Sequence, residues 1–135
     1  MSLASIQKAL DTHLATFQAT NVAWAGTLYR PTIGTPYLSP KISSRTRTPV
    51  GLGADGTRKW QGTYTINVYF PAAQGLARAN ARADELLAHF PRGGSVTGVD
   101  GALVQFETPT ARPELEQPDW LMIPVEVPWW SYEYP

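Results

Sequence analysis

Gly51-Leu52-Gly53-Ala54-Asp55-Gly56 spells G-x-G-x-x-G, the spacing with which a glycine-rich loop cradles phosphates. A dinucleotide site needs such a loop to leave a buried strand and open a helix, because the first helical amides hold the pyrophosphate. Here the loop sits between two strand-like segments and offers the phosphates no helix. A kinase-type glycine loop does join strands, but the chain has no H-R-D and no D-F-G. A hairpin loop is the better reading. The two histidines, His13 and His89, each fall in a helical pattern without an acidic partner at ligand spacing, and cysteine is absent. That argues against a zinc site, a disulfide framework or a thiolate nucleophile. Asp84 and Glu85 lie on a solvent face, and Glu114, Glu116 and Asp119 lie in a loop. General acid/base work needs two carboxylates facing one cleft with separated pKa values, which this scatter does not supply. No catalytic residue, metal ligand or cofactor is assigned, and the chain reads as a non-enzyme.

What remains is charge and aromatic surface. Lys41, Arg45, Arg47, Arg58 and Lys59 flank the glycine loop, with Asp55 alone against them. A basic tip of this kind can meet nucleic-acid phosphates or an acidic protein surface. It can also serve only to keep an edge strand in solution. No aromatic residue interleaves the tip, so sequence-specific nucleic-acid reading is not indicated. The charges are unevenly dealt along the chain. Residues 1–92 hold ten Lys/Arg against four Asp/Glu, residues 93–135 hold one Arg against seven acids, and the total is zero. Either the two segments neutralise each other inside one fold, or copies associate head to tail, basic surface on acidic.

The last sixteen residues, WLMIPVEVPWWSYEYP, hold three of the five tryptophans. Leu121, Ile123, Val125, Val127 and Trp129 share one face of an extended strand, and Met122, Pro124, Glu126 and Pro128 share the other. Trp130, Tyr132 and Tyr134 then place large aromatics on the formerly polar face. One cause would be a β-bulge that turns the tail back onto the core. The other would be an interface with another subunit. Leu121 to Trp129 are assigned to the core. Trp129, Trp130, Tyr132 and Tyr134 stand as candidate core or subunit contacts.

These residues need elements to hold them. Leu3, Ile6, Leu10, Leu14 and Phe17 follow helical spacing behind a capping Ser2, and Asn21 ends that helix. Val22-Ala23-Trp24 reads as a short strand. Pro36 to Arg47 is a weak strand with Tyr37, Ser39, Lys41, Ser43, Arg45 and Arg47 on one face, and its prolines suggest a sheet edge. Arg58 to Phe70 alternates Trp60, Tyr64, Ile66, Val68 and Phe70 with polar residues and is the best strand. Gln74 to Phe90 is the best helix, with Leu76, Ala79, Ala83, Leu86, Leu87 and Phe90 in one stripe. Strands near 95–99 and 102–108 flank an Asp100-Gly101 turn, and residues 109–119 read as loop. The order is α, β, β, α, β, β, β. It predicts one α+β domain over residues 1–135, with a mostly antiparallel sheet of four to five strands and two helices on one face. No apolar run approaches the roughly 20 residues of a membrane span, and MSLASIQKALD lacks the basic-then-apolar order of a signal peptide. Folding in a reducing cytoplasm is expected.

The succession of landmarks resembles the tail terminator family of long-tailed bacteriophages and prophages. The segments that carry the resemblance are the N-terminal helix, TPYL at 35–38, VGLGADGTRKWQGTYTINVYFP at 50–71, GLARANARADELLAHF at 75–90 and IPVEVPWW at 123–130. The resemblance implies an α+β subunit that forms a hexameric ring, caps the tail tube and provides the surface joining the head. It implies a virion-tail protein assembled in the bacterial host cytoplasm. Its partners would be itself, the major tail-tube protein, the head–tail connector protein and DNA passing through the lumen, with no membrane and no cofactor. Arg45, Arg47, Arg58 and Lys59 become candidates for contacts with tube, connector or passing DNA. Other head–tail connector or minor tail proteins of similar size fit the same landmarks. A small nucleic-acid-binding module using the basic tip is the reading from a different class.

Overall fold

The computed structural model describes residues 3–51, 56–98 and 100–134, so Ser2 and the centre of the glycine loop lie outside the described residues. The alternating segment at 58–70 becomes β2 (Arg58–Pro71), and the terminal aromatic segment becomes β7 (Trp120–Glu133). These two pair antiparallel along their whole lengths, from Arg58 opposite Glu133 to Pro71 opposite Trp120. β1 (Tyr37–Pro49) pairs with the other side of β2 and forms the sheet edge, as its prolines suggested. On the far side of β7 lie β4 (Leu103–Phe106) and then β3 (Ser95–Thr97).

Among the described residues the sheet has seven strands rather than four to five. The two additions are β5 (Thr110–Ala111) and β6 (Leu115–Gln117), both within the segment read as loop. They pair with the side of β7 that β4 leaves open, with Thr110 opposite Glu126 and Leu115 opposite Met122. Their residues are exposed throughout, so no buried face gave them a periodicity to detect. Val22-Ala23-Trp24 is not a strand either. Val22 makes a single parallel bridge to Leu38, fastened by Ala23 N–H to Leu38 C=O at 2.7 Å.

Helix α1 (Leu3–Phe17) and helix α2 (Leu76–His89) cover one face of the sheet. Ile6, Leu10 and Leu14 of α1 and Ala79, Ala83 and Leu86 of α2 bury against Tyr64, Ile66, Val68, Ile123, Val125, Val127 and Trp129. Each large apolar side chain fully removed from water contributes about 1.5–3 kcal/mol, and this one continuous cluster anchors the middle of the ribbon. The helices are also tied by polar contacts. Tyr64 Oη donates to Asp11 Oδ1. Burial raises the Tyr64 hydroxyl pKa, with the Asp11 carboxylate adding to the effect, and burial raises Asp11 above the usual carboxylate value. Arg82 stacks on Phe17 with 4.0 Å between guanidinium carbon and ring centre, and bonds Gln18 at 2.8 Å.

A β-bulge does occur, but in β1. The pairing steps from Ile42–Tyr64 to Ser44–Thr63, leaving Ser43 as the extra residue. The bulge inverts the sidedness of everything beyond it. Arg45, opposite Gly62, and Arg47, opposite Trp60, therefore share the face of Leu38, Pro40 and Ile42, not that of Tyr37 and Lys41. The local cause is steric. A side chain at position 62 would place its Cβ 2.0 Å from the Ser44 carbonyl oxygen, so glycine is required where the bulged strand presses in.

Candidate assembly surface

β7 itself runs without a bulge, since its register with β2 is unbroken. Its core side continues past Trp129 to Ser131, which is fully buried and donates its hydroxyl to Leu103 C=O at 2.6 Å. Trp130, Tyr132 and Tyr134 therefore stay on the helix-free face, and the tail does not turn back onto the core. Trp129 is a core residue, 1 % exposed, and its neighbour points the opposite way.

Antiparallel register gathers the other candidates at one end of the ribbon. Arg45, Gly62 and Trp129 stand in one row across three strands, followed by Arg47, Trp60 and Ser131. Then come Thr48, Lys59 and Tyr132, and last Pro49, Arg58 and Glu133. On the helix side of this end, Glu133 is the hub. It lies 3.8 Å from Arg47 and 3.7 Å from Arg58, and accepts the Trp60 indole N–H at 3.3 Å. Arg47 also sits 5.4 Å from the Trp60 ring centre, a cation–π distance. On the opposite side, Lys59 Nζ lies 5.3 Å from the Trp130 ring centre, and Trp130 donates its indole N–H to Glu107 at 3.0 Å. Trp130 and Tyr132 meet edge to face at 5.2 Å, and Tyr134 is 73 % exposed beyond them. A cavity of about 310 Å³ opens beside these aromatics, bounded by Gly101, Leu103 and Gln105. Its floor is firm, because Asp100 accepts from Ser5 Oγ at 2.8 Å and from Ala102 N–H at 3.1 Å. Those bonds hold the Asp100 carboxyl down at about 2.

Glu133 and Glu107 were not singled out from the sequence, and Trp60 was read only as part of a strand face. Each is defined by a partner on a strand distant in sequence, and only the β2–β7 and β4–β7 pairings reveal them. A second aromatic cluster at the far end was also missed. Tyr37 stacks on Tyr69 at 4.5 Å, with Tyr29 at 5.3 Å and Trp120 edge-on at 5.2 Å.

The glycine loop joins β1 to β2, with Gly51 and Gly56 at positive φ (76° and 80°) and Val50 N–H bonded to Thr57 C=O across its neck. It opens a strand, so the helix N-terminus required by a dinucleotide loop is not next to it. His13 and His89 stack on each other at 4.2 Å. Each donates from Nε2 to the other's backbone carbonyl, at 2.7 Å and 2.9 Å, which fastens the C-terminal halves of the helices. Among the described residues no three His, Cys, Asp or Glu gather as metal ligands. No helix among them is long and apolar enough to cross a membrane.

The fold defines a class of small α+β proteins in which two helices cover one face of a long antiparallel ribbon. A solved structure without a descriptive name shares it, with TM-score 0.81 and 24% identity over 100% of this chain and 99% of that one. So does a chain from the virion of a native gene transfer agent particle, with TM-score 0.68 and 20% identity over 96% of each chain. No curated protein matches the chain. The family model described as phage tail terminator protein matches residues 5–129, and the chain belongs to that family. It is a phage structural protein, of the virion tail.

Proposed function

We propose that the protein is a tail terminator that oligomerises as a ring, caps the tail tube and provides the head-joining surface. The observation that carries this reading, beside family membership, is the end of the β1–β2–β7 ribbon. It presents Lys59, Trp130, Tyr132 and Tyr134 on a face that no helix covers. Aromatics with flanking cations are the residues that protein interfaces favour over ordinary surface. The chain from a gene transfer agent virion supports an assembly setting for this fold. The subunit, residues 1–135, acts in this reading by binding copies of itself, the tube protein and the connector. Arg45, Arg47 and Arg58 on the helix side of the same end, and Lys59 on the aromatic side, serve as outer contacts. Light scattering of the purified protein over a range of concentrations, with and without tube protein, tests the reading. A ring-sized species is expected. A strict monomer under all these conditions overturns it.

A further inference from the structure

We infer that the basic, aromatic end of the ribbon packs on the acidic start of β7 of a second copy, so that subunits join head to tail. The inference rests on the oligomeric reading above and names its two surfaces.

Among the described residues, cations without an ion-pair partner and acids without one lie near opposite ends of one strand. Lys59 stands opposite Tyr132, near the end of β7, while Glu116 and Gln117 of β6 stand opposite Leu121 and Trp120 at its start. From Leu121 to Tyr132 the strand rises roughly 36 Å at about 3.3 Å per residue. The screening length at physiological salt is about 8 Å, so neither patch neutralises the other within a subunit. Local pairing does not use them up either. Glu133 occupies Arg47 and Arg58, and Glu126 occupies Arg112. Among the described residues Arg45 and Lys59 make no ion pair, and neither do Glu114, Glu116 or Asp119.

Both ends also offer apolar surface. At the acidic end, Ile33 is 97 % exposed beside a cavity of about 370 Å³ lined by Pro71, Asp119 and Trp120, and Leu115 is half exposed. At the basic end, Tyr134, Leu103 and Val50 are exposed. An apolar centre with a charged rim is the ordinary build of a specific interface. A second copy is the occupant that fits, because every subunit carries both halves of the contact, the cations Arg45 and Lys59 at one end and the acids Glu114, Glu116 and Asp119 at the other. Tip on loop uses different surfaces of the two partners, which is the heterologous geometry that closes into rings when the rotation allows.

The test uses the full chain in sedimentation velocity. R45E with K59E reverses the tip, and E114K with E116K reverses the loop. Arg45, Glu114 and Glu116 are exposed and Lys59 is partly exposed over the Trp130 ring, so circular dichroism is expected to stay as in the parent and melting to fall only slightly. Each reversed pair alone is expected to weaken self-association roughly tenfold or more, and high salt to weaken the parent likewise. The chain carrying all four substitutions is expected to recover association, because a negative tip then meets a positive loop. If the parent associates and the reversals leave it unchanged, the inference falls while the oligomeric reading stands. Weakening without recovery in the fourfold variant also overturns it, since the tip and loop would then face other groups. A parent that never associates removes both.

Discussion

At the scale of residues, the adjacent tryptophans divide the work of the terminal strand. Trp129 is buried among Gly62, Phe106 and the helices' apolar stripe, and among the described residues its indole N–H has no hydrogen-bond partner. Packing volume, not a polar contact, therefore holds it there. Trp129→Ala is expected to cost about 3–5 kcal/mol in urea unfolding, as for other large core aromatics. Trp130→Ala removes an edge-to-face contact and one hydrogen bond on the open face, and is expected to cost about 1 kcal/mol or less while weakening assembly. Equal losses of stability in the two variants would contradict this division. The histidine pair makes a second prediction. Burial lowers the His13 pKa, and the charge of His89 against it adds to that. As pH falls below about 6.5, an unfolded His13 takes up its proton before the folded one does. In that window the unfolded state binds more protons, so stability decreases as pH falls. Urea midpoints measured from about pH 7.5 to about 5.5 should decline in the parent and less steeply in His13→Gln, which keeps an amide donor for His89 C=O. Parallel declines would assign the effect elsewhere.

At the scale of elements, the β1 bulge decides which way the basic tip faces. Gly62 makes it possible, since even a methyl group there would collide with the Ser44 carbonyl and approach Arg45 Cα to 3.0 Å. Gly62→Ala is expected to destabilise by about 1–3 kcal/mol, the usual scale of overpacking against backbone. It should also speed amide hydrogen exchange at Thr46 to Thr48 more than at Ser39 to Lys41. Uniform exchange along β1 would show that the bulge is not the strained point. The same bulge marks the limit of what the sequence discloses. α2, β2 and the core face of β7 were legible because each buries one face along a regular period. A single extra residue at Ser43 leaves no trace in that period, so Arg45 and Arg47 were assigned to the wrong side. β5 and β6 were invisible for a different reason. They are short, exposed and bounded by Pro109, Pro113 and Pro118, and they exist because β7 has an unpaired side. The site residues were legible singly, as cations and aromatics. Their assembly around Glu133 depends on pairing residues 58–71 with 120–133, a match that no local pattern announces.

At the scale of the whole molecule, the last strand in sequence is the middle strand in space. β7 bonds β2 along one side and β4, β5 and β6 along the other, and supplies Ile123, Val125, Val127 and Trp129 to the core. Folding therefore waits for a contact between residues far apart in the chain, and such topologies fold slowly, on the order of milliseconds to seconds. The arrangement also separates stability from surface within one strand. A chain stopped before Trp120 leaves β2 without its longest partner and opens the core, and is expected to show no cooperative unfolding transition. A chain stopped after Ser131 keeps every buried residue of β7, including the Ser131 bond to Leu103. What it loses is Tyr132, Tyr134 and the Glu133 that restrains Arg47 and Arg58. It is expected to unfold cooperatively, within about 2 kcal/mol of the parent, because the contacts removed are at the surface. Its assembly should nevertheless be impaired, since the basic end loses both its aromatic extension and the carboxylate that orients its arginines. Calorimetry and light scattering on the two truncations read these outcomes separately. A Ser131-terminated chain that failed to fold would place the stability of the ribbon in the last four residues of the chain, and the division between core and contact surface would then lie elsewhere in β7.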